Sequence, residues 1–274
     1  MVRSHFASSL VVLTLAASLV FAQDKPLGGL SEEEFAKLHT LKDGEAPPAK
    51  GTLVDLADGT KAYLTLPANA KPGLPAVIVI HEWWGLNSHI KHWADRLTLT
   101  GRAALAVDLY GGKAATDRKV AGEMMQAANK DPAKAVATML AARDFVKKDP
   151  RVMATKVGSV GWCFGGGMSL RLAMNAPDLD ACVMYYGFPV DDVKQLAAIK
   201  APLLLHYAET DDRINAGWPA YETALKAAGV KYEMHKYPGT QHGFNNDTTP
   251  RYDAAAAKLA WQRTVDHFNK NLKA

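Results

Sequence analysis

The stretch Val157-Gly158-Ser159-Val160-Gly161-Trp162-Cys163-Phe164-Gly165-Gly166-Gly167 decides how the rest of the chain reads. Its first six residues pattern as a buried strand, and residues 165–175 pattern as a helix. Between them lies Gly-x-nucleophile-x-Gly, the turn known as a nucleophile elbow. Such a turn holds its nucleophile at a strained backbone position while strand and helix pass close together. Side chains two residues to either side would collide, hence the glycines. Cysteine stands where serine is usual, and it opens a helix, whose N-terminal N–H groups favour a thiolate. The same loop also reads as a close-packing turn around an inert cysteine, so the rest of the chain must decide.

Outward from this elbow, strands and helices alternate. Strands are expected at 52–57, 61–66, 76–81, 103–108, 157–162, 181–187, 202–208 and 231–237, and helices at 89–100, 117–129, 132–148, 165–175, 216–228 and 251–271. Continuous apolar runs such as Val77-Ile78-Val79-Ile80 mark strands covered on both faces. With a hairpin turning at Asp58-Gly59, the pattern predicts a mostly parallel eight-stranded sheet with helices on both faces.

Three other strands are followed by loops rich in chemistry. After 202–208 come Asp211 and Asp212, after 231–237 comes His242, and after 76–81 come Glu82, Trp83 and Trp84. In an open parallel sheet, active groups gather at the carboxyl ends of strands. The order Cys163, Asp211, His242 is the nucleophile, acid, base order of α/β-hydrolases. His242 is expected as general base and Asp211 as its orienting acid, with Asp212 the competing choice. The backbone N–H groups of Trp83 and Phe164 are the expected oxyanion donors.

The set Gly161-x-Cys163-x-Gly165-Gly166, His81-Glu82-Trp83-Trp84-Gly85-Leu86-Asn87, Asp108-Leu109-Tyr110, Asp211 and His242-Gly243-Phe244 resembles the dienelactone hydrolase family, the carboxymethylenebutenolidases. The resemblance spans residues 51 to about 270. It implies an α/β-hydrolase fold, a Cys163-His242-Asp211 triad, and a Glu82 carboxylate lying against the resting thiol and helping to deprotonate it. It implies a small-molecule lactone or ester as substrate, cleaved through a cysteine acyl-enzyme. The chain departs from the family at two positions. Arginines that hold a substrate carboxylate are replaced by Gly112 and Asn246, with Lys113 and Arg251 the nearby cations. Trp84, Tyr110, Lys113, Tyr185 and Phe244 are the expected substrate-binding residues, and uncharged esters and lactones are expected to compete well with acidic ones. The other readings are a ligand-binding protein that retains the pocket without catalysis, and a broader thiol esterase or acyltransferase.

Composition bounds what remains. The chain has 274 residues, 48% of them hydrophobic, with 32 Lys+Arg against 28 Asp+Glu and a formal charge of +4. That balance fits a globular enzyme, and the absence of a basic block argues against a nucleic-acid partner. Residues 1–22, with a basic start, an apolar run from Leu10 to Phe21 and Val20-Phe21-Ala22, read as a signal peptide cleaved after Ala22. A periplasmic or secreted protein follows, not membrane-bound after cleavage. Residues 23–50 read as an extension, with a helix over 32–41 capped by Ser31 and a linker containing Pro47-Pro48. The domain proper is then 51–274. Cys163 and Cys182 fall at opposite ends of neighbouring parallel strands, too far apart for a disulfide. His89 and His92 lack a third ligand, so neither metal nor other cofactor is expected. A monomer is expected.

Overall fold

The computed structural model describes residues 48–273 and, ahead of them, Glu33. The expected signal peptide, the extension and, apart from Glu33, the expected 32–41 helix therefore lie outside the described residues.

The sheet begins with a hairpin of β1 (Thr52–Asp55) and β2 (Lys61–Thr65), in register from Thr52 opposite Leu64 to Asp55 opposite Lys61. β2 runs antiparallel to β4 (Ala103–Val107), and every later pairing is parallel. The remaining strands are β3 (Ala76–Ile80), β5 (Val157–Trp162), β6 (Ala181–Tyr185), β7 (Leu203–Ala208) and β8 (Tyr232–Tyr237). Their spatial order is β1-β2-β4-β3-β5-β6-β7-β8. This eight-stranded, mostly parallel sheet with helices on both faces is the α/β-hydrolase architecture.

All five residues of β3 are buried, and they alternate between two cores. Ile78 and Ile80 join the core containing α3 (Pro132–Lys148), α4 (Phe164–Asn175) and α7 (Trp218–Ala227). Val77 and Val79 join the core containing α1 (Ser88–Thr98) and α8 (Ala254–Asn271), where Trp93, Trp162 and Trp261 pack together. An apolar run without polar interruption is what burial on both faces requires. Truncating Ile78 or Ile80 to Ala would cost about 2–5 kcal/mol.

Helix boundaries follow local capping chemistry. The carboxylates of Asp117, Asp131 and Asp253 accept backbone N–H groups at the starts of α2 (Arg118–Lys130), α3 and α8. Pro132 opens α3, where its missing N–H is not needed. The helix expected over 216–228 is α7, with Pro219 in its first turn, and the short α6 (Asp212–Asn215) ahead of it was not expected. A short α5 (Val193–Leu196) was not expected. Among the described residues, no helix is long and apolar enough to cross a membrane.

Candidate active site

Cys163 sits between β5 and α4 with φ 56° and ψ −118°. A non-glycine residue there costs on the order of 1–3 kcal/mol and persists only where its surroundings over-determine it. They do so here. The Cys163 N–H donates to Tyr185 O at 3.0 Å, while its carbonyl accepts from Gly166 N–H at 3.1 Å. A Cβ on Gly161 would come within 2.0 Å of Gly165 O, and one on Gly165 within 2.3 Å of Ile80 O. The glycines thus let β3, β5 and α4 converge, and convergence forces the cysteine outward at the positive end of α4.

The His242 loop follows β8. His242 Nδ1 is hydrogen-bonded to Asp211 Oδ2, and the imidazole also meets the Cys163 thiol. Asp211 is buried, whereas Asp212 is exposed and begins α6. The contact therefore selects Asp211 over Asp212. Burial pulls the His242 pKa down, but the bonds to Asp211 and Cys163 prevail and hold it up at about 9.

Glu82 is almost fully buried at the end of β3. The side-chain amide of Asn246 donates to its Oε2 at 2.7 Å, and the Tyr186 hydroxyl faces its Oε1 at 3.4 Å. Among the described residues the hydrogen bonds of this carboxylate run to Asn246 and Tyr186. The Asn246 amide is engaged at its other end too, where Oδ1 accepts from the Thr248 N–H and hydroxyl. Tyr186, with φ 37°, lies 4.9 Å from the His242 ring between centroids. Its hydroxyl is pushed well above the ordinary range, first by burial and then by the charges of Glu82 and Cys163.

Neither the Trp83 nor the Phe164 N–H finds an acceptor among the described residues, which leaves both available at the mouth of the elbow. His81 ties the Glu82 loop down. Its Nδ1–H donates to Glu82 O at 2.6 Å, and its Nε2 accepts the Leu109 N–H at 3.1 Å. That pattern requires a neutral ring, and burial depresses its pKa accordingly.

The expected substrate-binding residues divide. Trp84 is half-buried and packs on Trp83 with ring centroids 4.9 Å apart. Tyr110 packs on His81 and Phe164, and burial together with the charge of Cys163 pushes its hydroxyl pKa up. Tyr185 and Phe244 do not line a pocket. Tyr185 is 1% exposed, stacks on Trp162 and bonds Thr264 through its hydroxyl, all on the far face of the sheet. Phe244 is fully buried against Tyr186 and Tyr237. The tyrosine after β6 that meets His242 and Glu82 is Tyr186, one residue on and itself fully buried, because the strand ends at Tyr185 and the next backbone turns to positive φ. Lys113 is exposed and lines a cavity together with Leu109 and Tyr110. Arg251 is exposed, with its guanidinium 3.8 Å from where Gly243 would carry a Cβ.

A buried ion cluster behind the site was not anticipated. Asp247 accepts from Arg96 Nη2, and its Oδ1 lies 3.1 Å from His89 Nδ1. Burial works against the Asp247 charge, but His89 and Arg96 hold its carboxyl far below the usual carboxylate range. The cluster fastens the His242–Asp247 loop to α1. His89 thus faces Asp247, and no group of three or more ligating side chains gathers among the described residues. Cys182 stands opposite Ser159, four residues before Cys163 in the neighbouring strand. Both thiols are free, and burial pushes that of Cys182 up to about 11.

Known proteins match this arrangement. The model of the dienelactone hydrolase family matches residues 60–272. Protein usf of Aquifex pyrophilus is 36% identical over 220 residues, covering 77% of this chain and 94% of its own. A candidate carboxymethylenebutenolidase of Saccharolobus solfataricus is 32% identical over 250 residues, covering 78% and 96%. The crystal structure of a dienelactone hydrolase-like promiscuous phosphotriesterase from metagenomic libraries superimposes with a TM-score of 0.74 at 26% identity, over 81% of this chain and 98% of that one. Sequence and fold agree over one span that includes every loop of the site, and the chain therefore belongs to the dienelactone hydrolase family of α/β-hydrolase enzymes.

Proposed function

We propose that the enzyme opens a lactone or small carboxylic ester through a thioester on Cys163. The observation that carries this reading is the contiguous Cys163-His242-Asp211 contact at the end of a strained elbow. In this reading Cys163 attacks as the thiolate beside the His242 imidazolium, whose pKa of about 9 keeps it protonated at neutral pH. The carbonyl oxygen becomes an oxyanion facing the Trp83 and Phe164 N–H groups. As the ester C–O bond breaks, the imidazolium delivers its proton to the departing alkoxide. Neutral His242 then takes a proton from water, whose oxygen attacks the thioester. The C–S bond breaks, the acid leaves, and the thiolate–imidazolium pair is restored.

Asp211 keeps Nδ1 occupied and stabilises the imidazolium. Glu82 is assigned to the proton traffic of the thiol from a station fixed by Asn246 and Tyr186. Trp83, Trp84 and Tyr110 form the aromatic wall for the substrate. The test is a panel of lactones and esters assayed with wild type and Cys163→Ala. Turnover that vanishes with the thiol supports the proposal, and equal turnover by both proteins removes it.

We also propose export, with cleavage after Ala22, on the sequence of residues 1–22. The intact mass of the exported protein should lack those residues. Full-length protein retained in the cytosol contradicts it.

A further inference from the structure

Residues 243–247 are all buried, although they belong to the loop that carries His242. Loops ordinarily run over the surface, because a buried backbone must find partners for its polar groups. Here the loop closes partly on itself. The Phe244 N–H donates to Gln241 O at 3.0 Å, and the Asn246 N–H donates to Gly243 O at 2.9 Å. The backbone of His242 makes no hydrogen bond among the described residues. What seats the imidazole is therefore Asp211 at Nδ1 and the side chains that anchor the loop just after it.

Three consecutive side chains do so. Asn246 reaches Glu82, and Asp247 reaches Arg96. Asn245 reaches the strand of the nucleophile. The Trp162 Nε1–H donates to Asn245 Oδ1 at 2.8 Å, across 83 residues of sequence, and Trp162 immediately precedes Cys163. Asn245 is fully buried and Trp162 nearly so.

Stability alone does not account for this bond. An indole N–H can only donate, so Asn245 must turn its oxygen to it. Asn245 Nδ2 is then left buried without a hydrogen-bond partner among the described residues. A phenylalanine against a leucine would leave no polar atom behind, and replacing both partners by apolar groups of similar shape is nearly neutral. What the polar pair adds is direction, since it fixes where the loop stands against the end of β5.

We propose that Asn245 is a positioning residue, which locks the base-bearing loop onto Trp162 and so holds the His242 imidazole against the Cys163 thiol. This rests on Cys163 and His242 reacting as the pair proposed for ester cleavage.

The test uses Asn245→Leu, Trp162→Phe and the double variant, which discards all three polar atoms at once. One readout is kcat and KM with p-nitrophenyl acetate. The other is the rate at which iodoacetamide alkylates Cys163 at pH 7, Cys182 being fully buried. Each variant should lower kcat about tenfold or more with KM little changed, because small misplacements of reacting groups are costly. Alkylation should slow toward the rate of His242→Ala. The double variant, free of unpaired polar atoms, should stay as slow as the single ones, which a purely stabilising bond would not produce. Wild-type kcat and alkylation rate in the folded double variant overturn the proposal, even if Asn245→Leu fails to fold. A wild type that alkylates no faster than His242→Ala would instead remove the reacting pair itself, and with it anything for Asn245 to position.

Discussion

The side-chain amide of Asn246 donates to Glu82 Oε2 at 2.7 Å, across 164 residues of sequence, and so joins the loop after β8 to the loop after β3. One neutral donor thereby fixes the buried carboxylate of the active site. Removing it as Asn246→Ala leaves Glu82 with the longer contact to Tyr186 alone. An incompletely satisfied buried acceptor costs about 1–3 kcal/mol. The variant should unfold at correspondingly lower denaturant, and kcat should fall while KM moves less. Glu82→Gln separates charge from shape, since it retains the side-chain volume without the carboxylate. Unchanged kcat in Glu82→Gln would remove Glu82 from proton transfer and leave it a positioning residue.

The triad should behave as a unit. Cys163→Ala and His242→Ala should each lower kcat/KM by about a thousandfold or more, with little further loss in the double variant. Asp211→Asn should cost less than either, because it disturbs the imidazole without removing it. Asp212→Asn, at an exposed position, should change little. A crippling Asp212→Asn beside a mild Asp211→Asn would place the orienting acid one residue later than proposed.

The proton on His242 gives the enzyme a basic limit. Its folded-state pKa of about 9 lies above the ordinary histidine value of 6.5. Binding the proton more tightly when folded stabilises the protein fully below about 6.5, and this contribution is lost as pH rises through about 9. Activity that depends on the imidazolium should fall over the same upper limb. Denaturant titrations of wild type and His242→Gln at a series of pH values check the linkage. The stability of wild type relative to the variant should decline between pH 6.5 and 9, and a flat difference contradicts it.

Substrate charge is the next consequence. Gly112 and Asn246 offer no guanidinium, and the Asn246 amide is already bonded to Glu82 and Thr248. Charge-assisted hydrogen bonds contribute roughly 1.5–3 kcal/mol each, so an acidic lactone gains no such anchor at these two positions. The methyl ester of an acidic lactone should match or exceed the free acid in kcat/KM. The comparison is repeated in Lys113→Ala and Arg251→Ala, the two cations that would restore a preference for the acid. A strong preference for the free acid in wild type contradicts the prediction, and its survival in both variants would show that neither cation is the cause.

What the sequence reveals follows from what physics makes local. The elbow is legible because Gly161 answers to a clash within five residues, against Gly165, and β5 spans 157–162 as read. Helix α3 is legible at 132–148 because Asp131-Pro132 starts it and Asp149-Pro150 stops it. The choice between Tyr185 and Tyr186 was not legible, since it depends on which residue ends β6 and where φ turns positive. The same limit hides Asn246 on Glu82 and Asp247 on Arg96. These pairs are 164 and 151 residues apart, and only the folded sheet brings them together. A sequence shows a missing arginine at 246, but not what the asparagine there holds.

The account rests on a covalent bond to one sulfur. Rapid mixing of the enzyme with p-nitrophenyl acetate, acid quenching within the first turnover and peptide mapping by mass measures that bond directly. The account predicts an acetyl thioester on the peptide bearing Cys163, forming with the release of nitrophenol, decaying at the turnover rate, and forming far more slowly in His242→Ala. Acetylation confined to a serine or to another residue, or full turnover with no acyl group on Cys163 at any quench time, would contradict it.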